Sequence, residues 1–140
     1  MDVMKIVLDE GAMMPTRGHP TDAGLDLYCR EEFVLWPWHH HEFDTGVHIQ
    51  LLHGWHGHVV GRSGLNMADN IVCPTGIIDE EYTGSIVVKL YNLGKRDKVF
   101  HAGDRIGQLI LLPCYAPALT LVERLDATDR GNGGFGSTGR

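Results

Sequence analysis

The segment Gly76–Gly84, with the sequence GIIDEEYTG, holds the side chains best suited to acid–base chemistry in this chain of 140 residues. Its two isoleucines favour a short strand, and the glycine at each end can adopt backbone angles closed to other residues. We therefore predict a hairpin, in which a tight acidic turn leads into a second strand over Ser85–Asn92. This hairpin would hold the carboxylate of Asp79 at a sheet edge, with Tyr82 close by. Taken alone, the acids are better explained by an ordinary solvated turn, and only the other motifs of the chain favour a catalytic role.

The end of the chain, residues 130–140, reads RGNGGFGSTGR and has no apolar pattern to bury. Glycine lets backbone N–H groups converge on an anion, and the serine and threonine add hydroxyl donors. Arg130 and Arg140 supply guanidinium groups suited to phosphate, and Phe135 could stack on a flat ligand. The segment is not a Walker loop, because the lysine is missing and no helix follows. It is either a frayed end, as glycine-rich tails commonly are, or a mobile lid that orders over a nucleotide.

A second candidate for anion binding is Gly61–Leu65, with the sequence GRSGL. The residues that follow predict a short helix over Ser63–Asp69, with Ser63 as its N-cap. Free N–H groups at the start of this helix and the charge of Arg62 would attract an anion. Serine before a short helix is also commonly just a cap, so the pattern alone leaves both interpretations open.

Two further segments place polar side chains beside apolar strands. Arg105 and Gln108 interrupt an apolar run, but strict alternation does not require them to share a face, and a surface arginine on an edge strand explains the pattern equally well. The segment Asp22–Leu27, DAGLDL, brings two carboxylates to the start of a strand. Asp22 would cap the turn, and Asp26 could lie near a metal ion held by phosphates.

Composition limits the classes of partner. The hydrophobic share of 43% and the charged share of 21% are ordinary for one globular domain. A net charge of −6 without any basic run argues against a nucleic-acid polymer, although a few arginines suffice for a small anion. We expect no membrane contact, because no apolar run approaches about 18 residues. With no basic-then-apolar leader at the start, we expect the cytoplasm as the compartment.

The fold class follows from many short apolar or alternating runs separated by Gly, Pro, Asn and Asp. Short strands at this spacing predict an all-β sandwich or barrel, with the helix near Ser63 as the one exception. The strand candidates are Val3–Leu8, Leu25–Tyr28, Glu32–Leu35, Val47–Leu52, His56–Gly61, Ile86–Tyr91 within the second strand of the hairpin, Arg105–Leu112 and Leu119–Glu123.

Five segments together resemble the motifs of the trimeric dUTP diphosphatases (dUTPases): DAGLDL, GRSGL, GIIDEEYTG, RIGQL and RGNGGFGSTG. They occur in the family's order and at similar spacings, from Asp22 to Gly139. The resemblance implies a jelly-roll-like β-barrel or sandwich over residues 1–128, followed by a mobile glycine-rich lid over residues 129–140. It also implies a homotrimer with active sites at subunit interfaces, and hydrolysis of dUTP to dUMP and pyrophosphate.

The resemblance also implies a role for each motif residue. Asp79 would be the general base that activates water for attack on the α-phosphorus, and Tyr82 would exclude a 2′-hydroxyl. The backbone of Asn70–Gly76 would bind the uracil edge, Phe135 would stack on the ring, and Asp26 would approach Mg²⁺ through water. The implied catalytic set is Asp79, Arg62, Ser63 and Gln108, and the implied substrate-binding set is Gly64, Asn70, Gly76, Tyr82, Arg105, Arg130, Phe135, Gly136, Ser137 and Thr138.

Three alternatives remain from the sequence. Nine histidines include His56 and His58, which a strand would point to one face as two metal ligands, although no glutamate follows at the short interval seen in cupins. The related dCTP deaminases, some bifunctional, resemble this chain less, because Gly64 follows Ser63 and their further arginine is missing. The third alternative is a regulatory binding protein on the same scaffold.

Overall fold

Eleven strands and one short helix form the part of the chain that the structure describes, residues 2–139 of a computed structural model. The predicted all-β class is confirmed. In these residues no helix is long and apolar enough to cross a membrane. The strands are β1 (Lys5–Leu8), β2 (Gly24–Tyr28), β3 (Phe33–Leu35), β4 (His40–Asp44), β5 (Val47–Gln50), β6 (Trp55–Val60), β7 (Ile71–Val72), β8 (Gly76–Ile78), β9 (Val87–Asn92), β10 (Lys98–Phe100) and β11 (Arg105–Pro113), and the helix α1 spans Ser63–Asp69.

All strand pairs are antiparallel, as expected of a jelly roll. The largest sheet has the order β2-β11-β6-β8, and a second sheet has the order β4-β9-β7. Two-stranded sheets of β1 with β5 and of β10 with β3 complete the fold. Alternate residues of β9 are buried, among them Val88 and Leu90, and β11 buries Ile106 and Leu109 on either side of an irregularity in its register. Each large apolar side chain buried in this way contributes about 1.5–3 kcal/mol.

The predicted hairpin around Asp79 is wrong. β8 pairs with β6, whereas β9 pairs with β4 and β7 in a different sheet. The acidic segment therefore joins two sheets, and the strand after it begins at Val87 rather than at Ser85. Alternation identified both strands, but it carries no information about which strand each one pairs with. The predicted sheet edge is confirmed, because β8 is the outer strand of its sheet.

Other predictions also differ from the structure. The helix has the predicted bounds, but Arg62 is its N-cap and no side chain caps it, so Ser63 is the first helical residue. Leu119–Glu123 is not a strand, and Leu119 is 95% exposed, because no strand of the same chain lies beside it. β4 was not predicted, since only Phe43 of its side chains is buried. The short strands β7 and β10 were missed as well.

Candidate active site

Asp26 forms the centre of a charged cluster at one end of the four-stranded sheet. Its carboxylate is largely buried on β2. Arg62 Nε lies 3.4 Å from Asp26 Oδ1, and Arg105 Nε lies 3.3 Å from Asp26 Oδ2. The hydroxyl of Tyr28, followed by the charge of Asp26, raises the pKa of Arg105, so this guanidinium stays charged at physiological pH. The carboxylate thus holds two arginines beside each other, ready for an anion with several oxygens.

A β-bulge brings Arg105 and Gln108 to the same side of the sheet. The register of β11 against β2 shifts between Arg105 and Gly107, and Gln108 then lies directly opposite Asp26. Arg105 also reaches Asp26, so the two side chains share a face that strict alternation did not require them to share. The Gln108 amide donates to the carbonyl of Gly61 at 3.1 Å. Gly24 leaves room for this amide, because a Cβ atom at position 24 would collide with the Gln108 side-chain oxygen and displace it.

An open cleft of about 500 Å³ adjoins this cluster. Arg62 and Arg105 line it together with Lys98 and Tyr28, two residues that the sequence did not single out. The Lys98 amine lies 3.0 Å from the carboxylate of Asp69, which holds it at the cleft. Little in the sequence singles out Lys98, because it stands at the start of a short strand that was itself not predicted. Three cationic side chains and one carboxylate, that of Asp104, line this concave surface, and the guanidinium groups among them are suited to phosphate oxygens.

Ser63 and Gly64 lie at the start of the helix directly after Arg62. Both are exposed, and the space where a Cβ atom of Gly64 would lie is open. The Ser63 side chain makes no capping bond. Its hydroxyl is therefore available to a ligand that Arg62 holds.

Asp79 lies on the surface in the segment that follows β8, which we call the Asp79 loop (residues 79–85). The Tyr82 N–H donates to the Asp79 carbonyl oxygen at 3.0 Å and closes a turn. Each end of the loop is anchored to the body. Glu80 accepts from the Gly54 N–H at 3.0 Å, and the Ser85 hydroxyl donates to Asp44. The exposed carboxylate of Asp79 is therefore carried on a fixed backbone.

His48 supplies another anchor for the Asp79 loop. Its Nδ1 lies 2.8 Å from the Thr83 carbonyl oxygen, and its Nε2 lies 3.0 Å from Asp9 Oδ2. The bond to Thr83 and then the bond to Asp9 raise the pKa of this imidazole. The ring thus connects the middle of the loop with the strand pair of β1 and β5.

Tyr82 presents an aromatic face beside Asp79. Its hydroxyl donates to the Ser85 carbonyl oxygen at 2.9 Å, and the ring is 44% exposed. The ring lies over Gly84, where a Cβ atom would come within 2.5 Å of the Tyr82 hydroxyl. Only glycine at position 84 allows this placement, which leaves one edge of the ring free for a ligand.

The segment Asn70–Gly76 leads from the helix to β8. Asn70 ends the helix in the left-handed conformation, with φ of 54°. Because β7 pairs with β9 and β8 pairs with β6, the chain crosses between two sheets here. Pro74 and Thr75 lie exposed in this crossing, outside any strand. Backbone groups without a sheet partner are therefore available to a ligand in the stretch predicted to bind a base.

Asp79 and the arginine cluster lie far apart within one chain. In the pairing of β8 with β6, Ile78 lies opposite Gly57, and Gly76 lies opposite Val59. Because the strands are antiparallel, Asp79 lies one residue past Gly57 toward the start of β6. Arg62 lies five residues past Gly57 toward the end of β6 and beyond it. At about 3.3 Å per strand residue, six residues correspond to roughly 20 Å. A carboxylate at this distance cannot act on a phosphate that Arg62 of the same chain holds.

The glycine tail, residues 130–139 of the described chain, makes hydrogen bonds within itself and to the Thr128 hydroxyl, which accepts from the Gly131 N–H at 3.1 Å, and makes none to the body. Arg130 Nε donates to the Gly133 carbonyl oxygen at 2.6 Å, and the Ser137 N–H donates to the Gly134 carbonyl oxygen at 3.1 Å. Phe135 is fully exposed with φ of 51°, and the glycine after it, Gly136, also has positive φ. Thr138 is exposed too, and Arg140 lies outside the described residues. The predicted phosphate donors thus do not meet Asp79 or Arg62 in one chain.

The apolar side chains between the body and the tail are also exposed. Leu121 is 99% exposed and Leu125 is 86% exposed. Past Cys114, whose N–H donates to the Gly54 carbonyl oxygen at 2.7 Å, the described residues make no hydrogen bond to the body. Residues 115–129 thus form an arm whose leucines have nothing in their own chain to pack against.

The histidines do not form a complete metal site in the described chain. Nε2 of His56 lies 2.8 Å from Nε2 of His58 on β6, so the predicted common face is confirmed. No group of three or more His, Cys, Asp or Glu side chains suitable for a metal ion occurs in residues 2–139. Nδ1 of His56 is buried without a hydrogen-bond partner.

Comparisons with known proteins agree with the motif order. The family model of the dUTPases matches residues 10–139. The human mitochondrial deoxyuridine 5′-triphosphate nucleotidohydrolase is 42% identical over 95% of this chain, which spans 53% of the human protein's length. A mutant dUTPase of Staphylococcus bacteriophage 80alpha, described with dUpNHpp, is 28% identical with a TM-score of 0.90, and the match covers 100% of both chains. A mutant dUTPase of phage phi11 of S. aureus, described with a structural Mg(II) ion, is 27% identical with a TM-score of 0.83 over 88% of this chain and 98% of its own.

Proposed function

This chain belongs to the dUTPase family, and on that premise we propose that it hydrolyses dUTP to dUMP and pyrophosphate. The 80alpha relative, described with dUpNHpp, supports a uracil nucleotide as the ligand. The observation that carries the proposal is that one chain contains both of two features. One is an exposed carboxylate on an anchored loop, and the other is a cleft with three cationic side chains. A water nucleophile requires the first, and a triphosphate requires the second.

In the proposed reaction Asp79 takes a proton from water as the water oxygen attacks the α-phosphorus. The bond from the α-phosphorus to the bridging oxygen breaks, and pyrophosphate leaves with the electron pair. Arg62, Arg105 and Gln108 hold the phosphate oxygens while charge moves onto the leaving group. Little covalent chemistry is needed, because an aligned water and neutralised oxygens lower most of the barrier.

We propose that each active site is shared between copies in a homotrimer. About 20 Å of strand separates Asp79 from Arg62 in one chain, so the two can meet only if they come from different copies. The exposed leucines of the arm at residues 115–129 would be covered by a neighbour, and the glycine tail would close over a neighbour's site as the lid of residues 129–140. Light scattering should give the mass of three chains, and a fully active monomer would contradict the shared site.

Mg²⁺ fits the residues present if it arrives with the triphosphate. Asp26 is the one largely buried carboxylate facing the arginines, and Mg²⁺ typically keeps several waters while using one or two carboxylates and substrate phosphates. Asp26 would therefore reach the ion through water, and the bound ion would neutralise phosphate charge. Removal of the ion with EDTA should abolish turnover, and added Mg²⁺ should restore it.

A nucleotide panel tests the substrate. Pyrophosphate release should be fast with dUTP and at least about a hundredfold slower with UTP, dTTP and dCTP, because Tyr82 and the Asn70–Gly76 backbone would reject the 2′-hydroxyl and the altered bases. Equal turnover of UTP would remove the role assigned to Tyr82. Ammonia release from dCTP would instead support the deaminase alternative.

The expected compartment and partners follow from the sequence and from the relatives. We keep the cytoplasm as the expected compartment, and cell fractionation would decide between it and the mitochondrion that the human relative's name specifies. The acidic net charge supports a small nucleotide rather than a nucleic-acid polymer as partner. No contact in the described residues favours a regulatory partner over catalysis.

A further inference from the structure

Glu80, the residue after Asp79, connects the Asp79 loop to the turn between β5 and β6. Its Oε2 accepts from the Gly54 N–H at 3.0 Å, and its Oε1 lies 2.9 Å from His53 Nδ1. We propose that Glu80 is a positioning residue that fixes the direction of the Asp79 carboxylate, an inference that rests on the function proposed above.

Asp79 needs such an anchor because the strand ends before it. Ile78 is the last residue of β8 with a partner in the sheet, and β8 is only three residues long. Beyond Ile78, the nearest hydrogen bond other than those of Glu80 is from the Tyr82 N–H to the Asp79 carbonyl oxygen, which lies within the turn itself. The anchors at Thr83 and Ser85 are four and six residues away from Asp79. The Glu80 contact is therefore the one that fixes the backbone beside the carboxylate.

The turn that receives Glu80 is itself held firmly. The Trp55 N–H donates to the Leu52 carbonyl oxygen at 3.1 Å, and Trp55 pairs with Pro113 of β11. The Gly54 carbonyl oxygen accepts from the Cys114 N–H at 2.7 Å, so both backbone polar groups of Gly54 are hydrogen-bonded. Glu80 thus ties the residue next to the base to the turn at the end of β6 and β11, the two central strands of the four-stranded sheet.

The two contacts of Glu80 are unequal. The His53 side chain is 98% exposed, and ion pairs in water contribute little. The Gly54 N–H belongs to a turn fixed by backbone hydrogen bonds, and it is the first cause of the lowered pKa of Glu80, ahead of His53. Glu80 is therefore ionised at neutral pH, and the bond to the backbone is the one that positions the loop.

The test compares kcat, KM for dUTP, affinity for a non-hydrolysable dUTP analogue and melting temperature in four variants. Glu80→Ala should lower kcat by roughly 10- to 100-fold, because a displacement of about 1 Å can cost a hundredfold. Its KM, analogue affinity and melting temperature should stay close to those of the wild type. Glu80→Gln keeps an acceptor for Gly54 and should restore kcat to within about threefold of wild type. His53→Ala and the matched control Glu81→Ala should behave as the wild type.

Three results would overturn the proposal. These are an unchanged kcat in Glu80→Ala, a loss that Glu80→Gln does not restore, and a loss matched by an equal fall in analogue affinity or by a large fall in melting temperature. Absence of dUTP turnover in the wild type would defeat the proposed function instead. Turnover in the wild type with an unaltered Glu80→Ala variant would defeat only the role of Glu80.

Discussion

The Asp79 loop carries the proposed general base, and the glycine tail carries the proposed lid. The two segments differ in whether hydrogen bonds attach them to the body of their own chain. The loop is bonded to the body at Glu80, Thr83 and Ser85, through three different partners. The described residues of the tail make no hydrogen bond to the body, and Phe135 at the tail's centre is fully exposed. Both segments lie outside the strands and are largely exposed, yet only the Asp79 loop is bonded to the body of its own chain.

The difference follows from what each segment has to do. A general base must be aligned with the attacked phosphorus before the reaction, and alignment requires a backbone held by the fold. A lid must admit substrate and release product, so its own chain must leave it free to move. We therefore expect changes in the loop to alter kcat at constant fold, and changes in the tail to alter closure over the substrate.

The largest effect is expected from Asp79→Asn. The amide matches the carboxylate in shape but cannot take the proton, so kcat should fall by roughly 10²- to 10⁴-fold. Because the surface side chain bears no structural contact, the melting temperature and the affinity for a non-hydrolysable dUTP analogue should remain near wild type. Steady-state kinetics with calorimetric binding would measure both. Turnover at the wild-type rate would exclude Asp79 as the base.

Deletion of residues 130–140 should have the next largest effect. Loss of the arginine, hydroxyl and glycine donors should reduce kcat/KM by roughly 10- to 100-fold, since closure and phosphate contacts would both be lost. The oligomeric mass and the melting temperature should not change, because the tail makes no bond to its own body. A truncated chain with full activity would refute the lid, and Phe135→Ala tests the aromatic contribution separately.

A smaller, pH-dependent effect is expected at His48, which anchors the middle of the loop. The hydrogen bond to Thr83 and then the one to Asp9 raise the pKa of the His48 imidazole in the folded state. The protonated ring therefore stabilises the folded protein fully below the unfolded pKa near 6.5, and this stabilisation is lost as the pH rises through the folded pKa. Relative to His48→Gln, the wild type should gain most in melting temperature near pH 5.5, and the gain should shrink by about pH 8.5. A difference independent of pH would show that the protonated ring is not the anchor.

The sequence predicted the class of the fold and most of its elements better than their arrangement. Most strands followed from apolar patterns, because burial enforces those patterns wherever one face meets the core, whereas the short helix buries only Leu65 and was predicted from its local sequence. The β-bulge that brings Arg105 to the side of Gln108 leaves no signal in alternation, and the partners of β8 and β9 depend on contacts distant in sequence. Ser63 was assigned as a cap on residue type alone, whereas Arg62 takes that position.

The arm and the anchors of the loop were harder to predict. Leu119 and Leu121 alternate like a strand, but alternation cannot say whether a partner strand exists in the same chain. Glu80 was indistinguishable from a solvated turn acid, since its value depends on the Gly54 N–H, 26 residues away. Contacts of this range follow from the fold, not from the local sequence.

The central claim, that Asp79 of one copy acts on a phosphate held by the arginines of another, is tested most directly by complementation. Asp79→Asn and Arg62→Ala should each be nearly inactive when expressed alone. Co-expressed in equal amounts, they should regain about a quarter of wild-type turnover, because random assembly pairs an intact loop with an intact arginine cluster in about one site in four. A mixture as inactive as its components would show that both residues act within one chain and would contradict the account.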